Sequence, residues 1–389
     1  VAGSIDGILS DYRILDLTDE KGMFCSRLLA DMGAEVIRVE EPGGSLTRSL
    51  SFWVNNLGKR GITLDIKNVE GREIFKRLVR TADVVVESYH PGYLEGLGID
   101  YAELCRINPR LVMASITGFG QNGPYRNYTS GDIVASALGG QAYVCGEPNR
   151  QPLKPSGEQT YYSAGLFAAI GVLLALWVRH SRGRGQYIDV SVQECAAATL
   201  DHVLVRYFYE GVVARRQGSL YWNNAFRIFP CSDGYILLSL LLQWETLVEW
   251  LDAESMAEDL TGERWQDRGY RLTHLGHVIE VLERWTQSHT VAELVEQGQL
   301  MHFPWAEVTS IPGLVDSPQL KERGFWVEVA HPETGEKCKF PGAPCRLSRS
   351  PWMVGRRVPS LGQDNEEIYK EELKLSEDEM GALIEKGVI

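Results

Sequence analysis

Three carboxylates in the 389-residue sequence have surroundings suited to chemistry: Asp132, Glu158 and Asp189. Each sits among small or polar residues beside an apolar run. A positioned carboxylate can act as a covalent nucleophile. The plainer reading of each is a solvated surface charge, and residue type alone does not separate the two. His274 and His277 share a helix face at i, i+3, but no third ligand stands beside them. A metal site takes three or four ligands, so no metal is expected. Cys145, in Val-Cys-Gly, has no evident partner base and reads as a structural thiol. Gly118, Gly120 and Gly123 form a formal G-x-G-x-x-G. Pro124-Tyr125-Arg126 follows it where a dinucleotide site needs a helix, so a glycine-rich turn is the better reading. No G-x-S-x-G elbow occurs.

These residues hang on an alternation of strands and helices. Arg13–Leu17, Glu35–Glu40, Ile62–Ile66, Asp83–Glu87 and Leu111–Thr117 read as strands, with helices over 22–32, 69–81 and 101–107 between them. That pattern implies an α/β fold with a parallel sheet covered on both faces. The stretch from Pro155 to Glu194 organises the rest. A polar loop runs to about Tyr162, an apolar segment of 14 residues follows from Gly165 to Val178, and a basic turn leads to the strand Gln186–Val190. A bilayer span needs about 20 apolar residues, so this segment reads as a buried core helix and no membrane partner is expected. A loop feeding a helix start, where free N–H groups favour negative charge, suits a reactive carboxylate. Arg179, Arg182 and Arg184 complement the far helix end, with phosphate contact the weaker alternative.

Beyond residue 193 the texture changes. Helical patterns cover 196–211, 243–251, 270–287 and 291–299, a hairpin turns at Ser232-Asp-Gly234, and the tail from Asn365 reads as an exposed charged helix. A smaller α+β domain over 225–310 is expected. The net charge of −13 argues against nucleic-acid binding, which needs a basic face. The first residues show no charged-then-apolar leader, and the seven scattered cysteines form no CxxC pair. Reduced thiols in a cytoplasmic protein are expected.

Several segments together resemble the class III coenzyme A transferases, the family of formyl-CoA transferase, carnitine CoA-transferase and α-methylacyl-CoA racemase. They are Ile14-Leu-Asp-Leu17, Leu29-Ala-Asp-Met-Gly-Ala-Glu-Val-Ile-Arg-Val-Glu40, Lys59-Arg-Gly-Ile-Thr-Leu-Asp65, Ala82-Asp-Val-Val-Val-Glu87, Asn108-Pro-Arg-Leu-Val112, Gly118–Pro124, Gly183-Arg-Gly-Gln186 and Ser232-Asp-Gly-Tyr235. The resemblance implies a large Rossmann-like domain, residues 1–224 and 311–389, a small inserted domain, residues 225–310, and two interlocked subunits. It also implies a reaction. An aspartate attacks an acyl-CoA thioester to form a mixed anhydride, CoA returns to give an enzyme-bound thioester, and an acceptor carboxylate displaces it. Coenzyme A enters as a thioester substrate and not as a resident cofactor.

The family aspartate stands four residues before the glycine that opens the apolar helix, and here that residue is Tyr161. A tyrosine cannot form the anhydride, and its phenol stays protonated at neutral pH. The family's CoA contacts fall on Arg38, Leu64, Lys67, Ser88 and Tyr89. A basic residue expected nearby is Gly96, the glycine-rich loop maps near Arg215–Asn223 with Gly218 alone, and the racemase histidine–aspartate pair would fall on Gly131 and Tyr161. The first helix entrance reads Asp19-Glu-Lys-Gly-Met23 where members have Ala-Gly-Pro and one more residue.

Three expectations follow. The first is a subunit with no nucleophile of its own, inactive alone, whose homologous partner carries the aspartate. The two-subunit succinyl-CoA:(R)-benzylsuccinate transferases of anaerobic aromatic degradation are the pattern for it. The second is a self-sufficient transferase using Glu158 or, next, Asp132. The third is a CoA-binding or scaffold protein without turnover.

Overall fold

The computed structural model describes residues 7–44, 48–221, 225–330, 335–354 and 358–389. Six strands form its main sheet: β1 (Arg13–Leu17), β2 (Glu35–Glu40), β3 (Arg60–Thr63), β4 (Val84–Glu87), β5 (Val112–Thr117) and β6 (Tyr187–Ser191). Their order is β3-β2-β1-β4-β5-β6, and every neighbouring pair is parallel. This is the doubly wound Rossmann-like order, in which the chain reverses direction across the sheet between β1 and β4.

Period-two alternation splits each strand between two cores. Leu15, Leu17, Ile37, Val39, Val85 and Met113 face one, where the helix Val69–Val79 and the C-terminal segment cover them. Ile14, Val36, Val84, Val86, Ala114 and Ile116 face the other, under the helices Met23–Asp31 and Gln159–Arg182. The tail is not the simple exposed helix expected. Ile368 and Tyr369 are fully buried in the first core, and the Tyr369 hydroxyl donates to the Thr63 carbonyl at 2.6 Å.

The chain divides into two compact units. One holds residues up to 142, 154–213 and 318 onward; the other holds 143–153 and 214–317. The second unit therefore starts before the expected 224/225 boundary, which adjoins residues outside the description, and it also recruits 143–153. It is built from the antiparallel strands β7 (Phe226–Pro230), β8 (Tyr235–Ser239) and β9 (Ala306–Glu307). Helices pack on them around the buried rings of Trp244, Trp265, Trp285 and Trp305. The first unit adds a hairpin of β10 (Trp326–Ala330) and β11 (Lys337–Pro341). Glu333 and Thr334 of the turn between them, and Trp222 and Asn223 of the Arg215–Asn223 loop, lie outside the described residues.

The organising helix is longer than its apolar run. It spans 24 residues, Gln159–Arg182, so Tyr161 lies in its first turn and not in a loop. Polar residues 159–163 take up the first turn, and Arg179, His180 and Arg182 the last, where cations favour the helix dipole. By length and composition this helix could cross a bilayer. Its small face, Ala164, Gly165, Ala168, Ala169, Val172 and Ala175, is instead buried on the sheet and on the helix Met23–Asp31. Gly165 makes the closest approach. A Cβ there would stand 3.0 Å from Phe24 Cβ and 3.1 Å from the Cys25 backbone nitrogen.

That contact fixes where the start of the long helix sits against the first helix. Gly165→Val is expected to cost about 1–3 kcal/mol through overpacking. Chemical denaturation checks it: a lowered midpoint with an unchanged slope fits, and unchanged stability contradicts the close packing.

Candidate functional site

The site begins with a buried polar knot at the end of β1. Asp16 has no exposed surface. Its Oδ2 accepts from Lys59 Nζ at 2.7 Å, from Ser26 Oγ at 2.7 Å and from Arg38 Nη1 at 3.4 Å. Its Oδ1 accepts from the Thr18 amide at 2.9 Å and the Thr18 hydroxyl at 2.6 Å. Burial alone would raise this carboxyl, but Lys59 and Arg38 outweigh burial and hold it well below the usual range. Burial pulls Lys59 down to about 8 against the attraction of Asp16. Lys59 Nζ also donates to the Met23 carbonyl, Ser26 Oγ and Asn56 Oδ1. One ammonium and one carboxylate thus tie β1, the first helix and the approach to β3 together. The matching segments contain both Asp16 and Lys59, but spacing alone gave neither a role.

At the carboxyl ends of β1, β2 and β4 lies a cavity of about 110 Å3. This is the switch point at which such sheets bind ligands. Arg38, Ser88 and Tyr89 line it, beside Asp19, Glu40 and Glu41. Arg38 is buried; its Nη2 donates to the Thr18 carbonyl at 2.9 Å, while its Nε has no hydrogen-bond partner and stands 3.9 Å from Glu40 Oε2. The Ser88 hydroxyl accepts from the Asp19 amide and donates to Asp19 Oδ1 at 2.8 Å. Tyr89 stacks on Tyr93 with centroids 4.7 Å apart. The other two sequence candidates do not line the cavity. Leu64 is buried in the core beneath, and Lys67 is exposed, paired to Glu41 at 2.7 Å. Around Gly96 there is open space.

Tyr161 is half-buried on the first turn of the long helix. Burial raises its phenol well above its ordinary value, and the charges of Asp19, Asp132, Glu158 and Glu20 raise it further. The phenol is therefore neutral, in a field already negative. Glu158, just ahead of the helix, accepts from Ser51 Oγ at 3.1 Å. Asp132 is engaged on both oxygens. Oδ1 accepts from the Thr160 amide at 3.0 Å and the Thr160 hydroxyl at 2.7 Å, and Oδ2 pairs with Lys154 Nζ at 2.7 Å. It holds the start of the long helix in place. The fold thus brings Glu158 and Asp132 around Tyr161.

The other candidates lie elsewhere. Asp189 accepts from the Gln121 amide at 3.1 Å, at the edge strand. His277 pairs with Asp259 at 2.6 Å and stacks on Trp265. Among the described residues no three His, Cys, Asp or Glu side chains gather into a metal-binding group. Arg179 is buried and pairs with Asp83 at 2.7 Å, a structural tie. Gly118–Gly123 is a loop in which Gly120 and Gly123 take left-handed backbone.

Sequence reasoning missed a second cavity, about 310 Å3, past the ends of β4 and β5. Glu87, Glu95, Asp100, His90, Ser115 and Tyr187 are among its walls. Burial lifts Glu87 to about 7, against the pull of Ser115 and the Tyr89 amide, which donates to it at 2.7 Å. Glu87 stood inside a matching segment, but nothing local marks a carboxyl as buried.

Comparison with known proteins bears on this arrangement. The profile of CoA-transferase family III matches residues 9–365. The chain is 34% identical, over 93% of both chains, to the BbsE subunit of succinyl-CoA:(R)-benzylsuccinate CoA-transferase from Thauera aromatica. It is 33% identical, over 98% of both, to the beta subunit of succinyl-CoA–L-malate CoA-transferase from Chloroflexus aurantiacus. Among solved structures, a CAIB/BAIF family protein from Brucella suis superposes with a TM-score of 0.85 at 28% identity, covering 94% of this chain and 99% of that one.

The elevated Glu87 gives a pH signature. Its folded value of about 7 lies above the ordinary 4.5. The folded state therefore binds the proton more tightly, and this group's contribution to stability falls as pH rises from 4.5 to 7. The loss is about 3 kcal/mol. Glu87→Gln, which keeps the acceptor for the Tyr89 amide, should flatten stability across that window and raise it above pH 7. An unchanged pH profile of chemical denaturation contradicts this.

Proposed function

Because the chain belongs to CoA-transferase family III, we propose that it is the non-nucleophilic subunit of a hetero-oligomeric transferase whose homologous partner carries the catalytic aspartate. The reaction moves CoA from an acyl-CoA such as succinyl-CoA to a carboxylic acid such as (R)-benzylsuccinate, in line with the relative from Thauera aromatica. The observation that carries this reading is Tyr161, neutral and set among Asp19, Glu20, Asp132 and Glu158. An acyl transfer through an anhydride needs an ionised carboxylate at that point. A phenol held above its ordinary range supplies none, and the surrounding negative charge disfavours a second carboxylate from a substrate.

In this reading the partner's aspartate attacks the thioester carbonyl, and the C–S bond breaks to release CoA thiolate. The thiolate then attacks the anhydride at the aspartyl carbonyl, releasing the donor carboxylate and leaving an aspartyl–CoA thioester. The acceptor carboxylate displaces CoA thiolate to form a second anhydride, and the thiolate attacks its acceptor carbonyl to give the new acyl-CoA and free the aspartate. This chain supplies fold and pocket. Arg38, Ser88 and Tyr89 are the contacts it offers coenzyme A, with Lys67 at the rim behind Glu41 and Leu64 beneath. The cations beside that crevice, Lys21, Arg48 and Lys67, are already paired with Asp19, Glu40 and Glu41, and Gly96 adds no charge, so it offers phosphate little uncompensated positive charge and leaves most of the CoA to the partner. A cytoplasmic, hetero-oligomeric protein is the corresponding setting.

The outer face of the long helix favours a partner subunit. Leu166, Phe167, Ile170, Leu174 and Trp177 recur along one stripe and are exposed, Trp177 by 76%. The helix His202–Glu210 adds exposed Tyr207, Phe208 and Tyr209. Apolar surface of this extent marks an interface.

A second reading keeps the chemistry in this chain, with Glu158 as nucleophile. It draws on the place of Glu158 next to the helix start and on its contact with Ser51. Two experiments separate the readings. Purified alone, the chain should transfer no CoA, and co-expression with a family member that retains the aspartate should restore turnover. Glu158→Gln in that complex should leave kcat within about threefold. Ordinary turnover by the lone chain, together with its loss in Glu158→Gln, would establish the second reading.

A further inference from the structure

A third cavity lies beside the start of the long helix, at Tyr162. It measures about 280 Å3, and its walls include the rings of Phe24, Tyr162, Phe325, Phe340 and Trp352, together with Asn55. An apolar cavity of about 150 Å3 already takes a benzene molecule. Phe24 and Tyr162 meet edge to face, with centroids 4.6 Å apart, so one wall is held rigidly. Arg27 and Asp31 also line it, but they close on each other at 2.7 Å and present no free charge.

Two features separate this cavity from a packing defect. Asn55 is 4% exposed, and its Oδ1 has no hydrogen-bond partner. A buried orphan acceptor costs free energy until a donor reaches it. The cavity is also linked by hydrogen bonds to Glu158, three residues before Tyr161. Asn55 Nδ2 donates to Ser51 Oγ at 3.4 Å, and Ser51 Oγ donates to Glu158 Oε2 at 3.1 Å. Tyr162, on another wall, follows Tyr161 directly in the chain.

We infer that this cavity binds the aryl ring of a small aromatic carboxylic acid, and that Asn55 Oδ1 receives a donor carried on the ring. Aromatic walls recognise the ring through edge-to-face contacts that a saturated ring cannot return. The Asn55 acceptor then favours a hydroxylated ring over a bare one. This rests on the transferase reading above, in which this subunit contributes pocket and its partner the nucleophile.

Calorimetric titration of the full-length chain, alone and in complex with its partner, with three acids tests the inference. They are 3-(4-hydroxyphenyl)propionate, 3-phenylpropionate and 3-cyclohexylpropionate. The hydroxylated acid should bind tightest and the cyclohexyl acid at least about fivefold weaker than the phenyl acid. Phe325→Ala, at a half-buried hairpin position where truncation leaves the cores intact, should weaken aryl binding about tenfold. Asn55→Ala should abolish the preference for the hydroxyl and spare phenyl binding. Equal affinity for cyclohexyl and phenyl acids overturns the inference. So does full affinity in Phe325→Ala, binding lost in the complex because a partner side chain fills the cavity, or no binding in either form. Transfer activity of the complex without aryl binding would sink the cavity and leave the subunit assignment standing.

Discussion

The Asp16–Lys59 pair is the constraint on which the rest depends. Two charges without exposed side-chain surface sit 2.7 Å apart between the first strand and the first helix. Breaking such a pair by removing one partner strands the other charge in a medium that cannot solvate it. The pair is tolerable because its remaining valences are met: Thr18 and Ser26 on the carboxylate, Met23 and Asn56 on the ammonium. Arg38 joins from β2 and so reaches the crevice at the strand ends. The knot therefore fixes the entrance of the helix Met23–Asp31. That helix in turn is the surface against which Gly165 seats the long helix.

Through that chain of contacts a core interaction decides where Tyr161 stands. The frame that would present a nucleophile is intact: a helix start, a clamped Asp132, a close-packed glycine. What it presents is a phenol made less acidic by burial and by four neighbouring carboxylates. At the sheet ends Glu40 and Glu41 are paired with Arg48 and Lys67, while Glu87, Glu95 and Asp100 gather at the next cavity. The proposed function divides the labour, with the charged chemistry assigned to the partner. In that reading the apolar surfaces of this chain, one a face on the long helix and one an aromatic cavity, would serve association and the uncharged end of a substrate.

Much of the large unit was legible in the sequence. β-branched runs at regular spacing gave the parallel sheet, and the segments around Asp16, Lys59 and Gly183–Gln186 gave the family. The long helix was underestimated at both ends. Residues 159–163 and 179–182 are polar, and polarity looks like loop when only apolar spacing is counted. The break at Asp201, with φ of 49°, splits one expected helix into Val192–Ala198 and His202–Glu210. Three of the five expected CoA contacts meet at one cavity; Leu64 and Lys67 lie off it, because adjacency in a motif says nothing about which way a side chain points. The acidic and aromatic cavities were illegible for a deeper reason. Glu87 and Ser115 come from different strands, and Asn55 and Phe340 are far apart in sequence, so only folding brings each pair to one wall.

In the proposed function the acyl group is never carried by this chain. The direct measurement is to mix the hetero-oligomer with acyl-CoA, trap with hydroxylamine and locate the hydroxamate by mass spectrometry of both subunits. The expected result is a hydroxamate on the partner's aspartate alone, with the peptides holding Asp132, Glu158 and Tyr161 unmodified. A hydroxamate on Glu158 or Asp132 would contradict it.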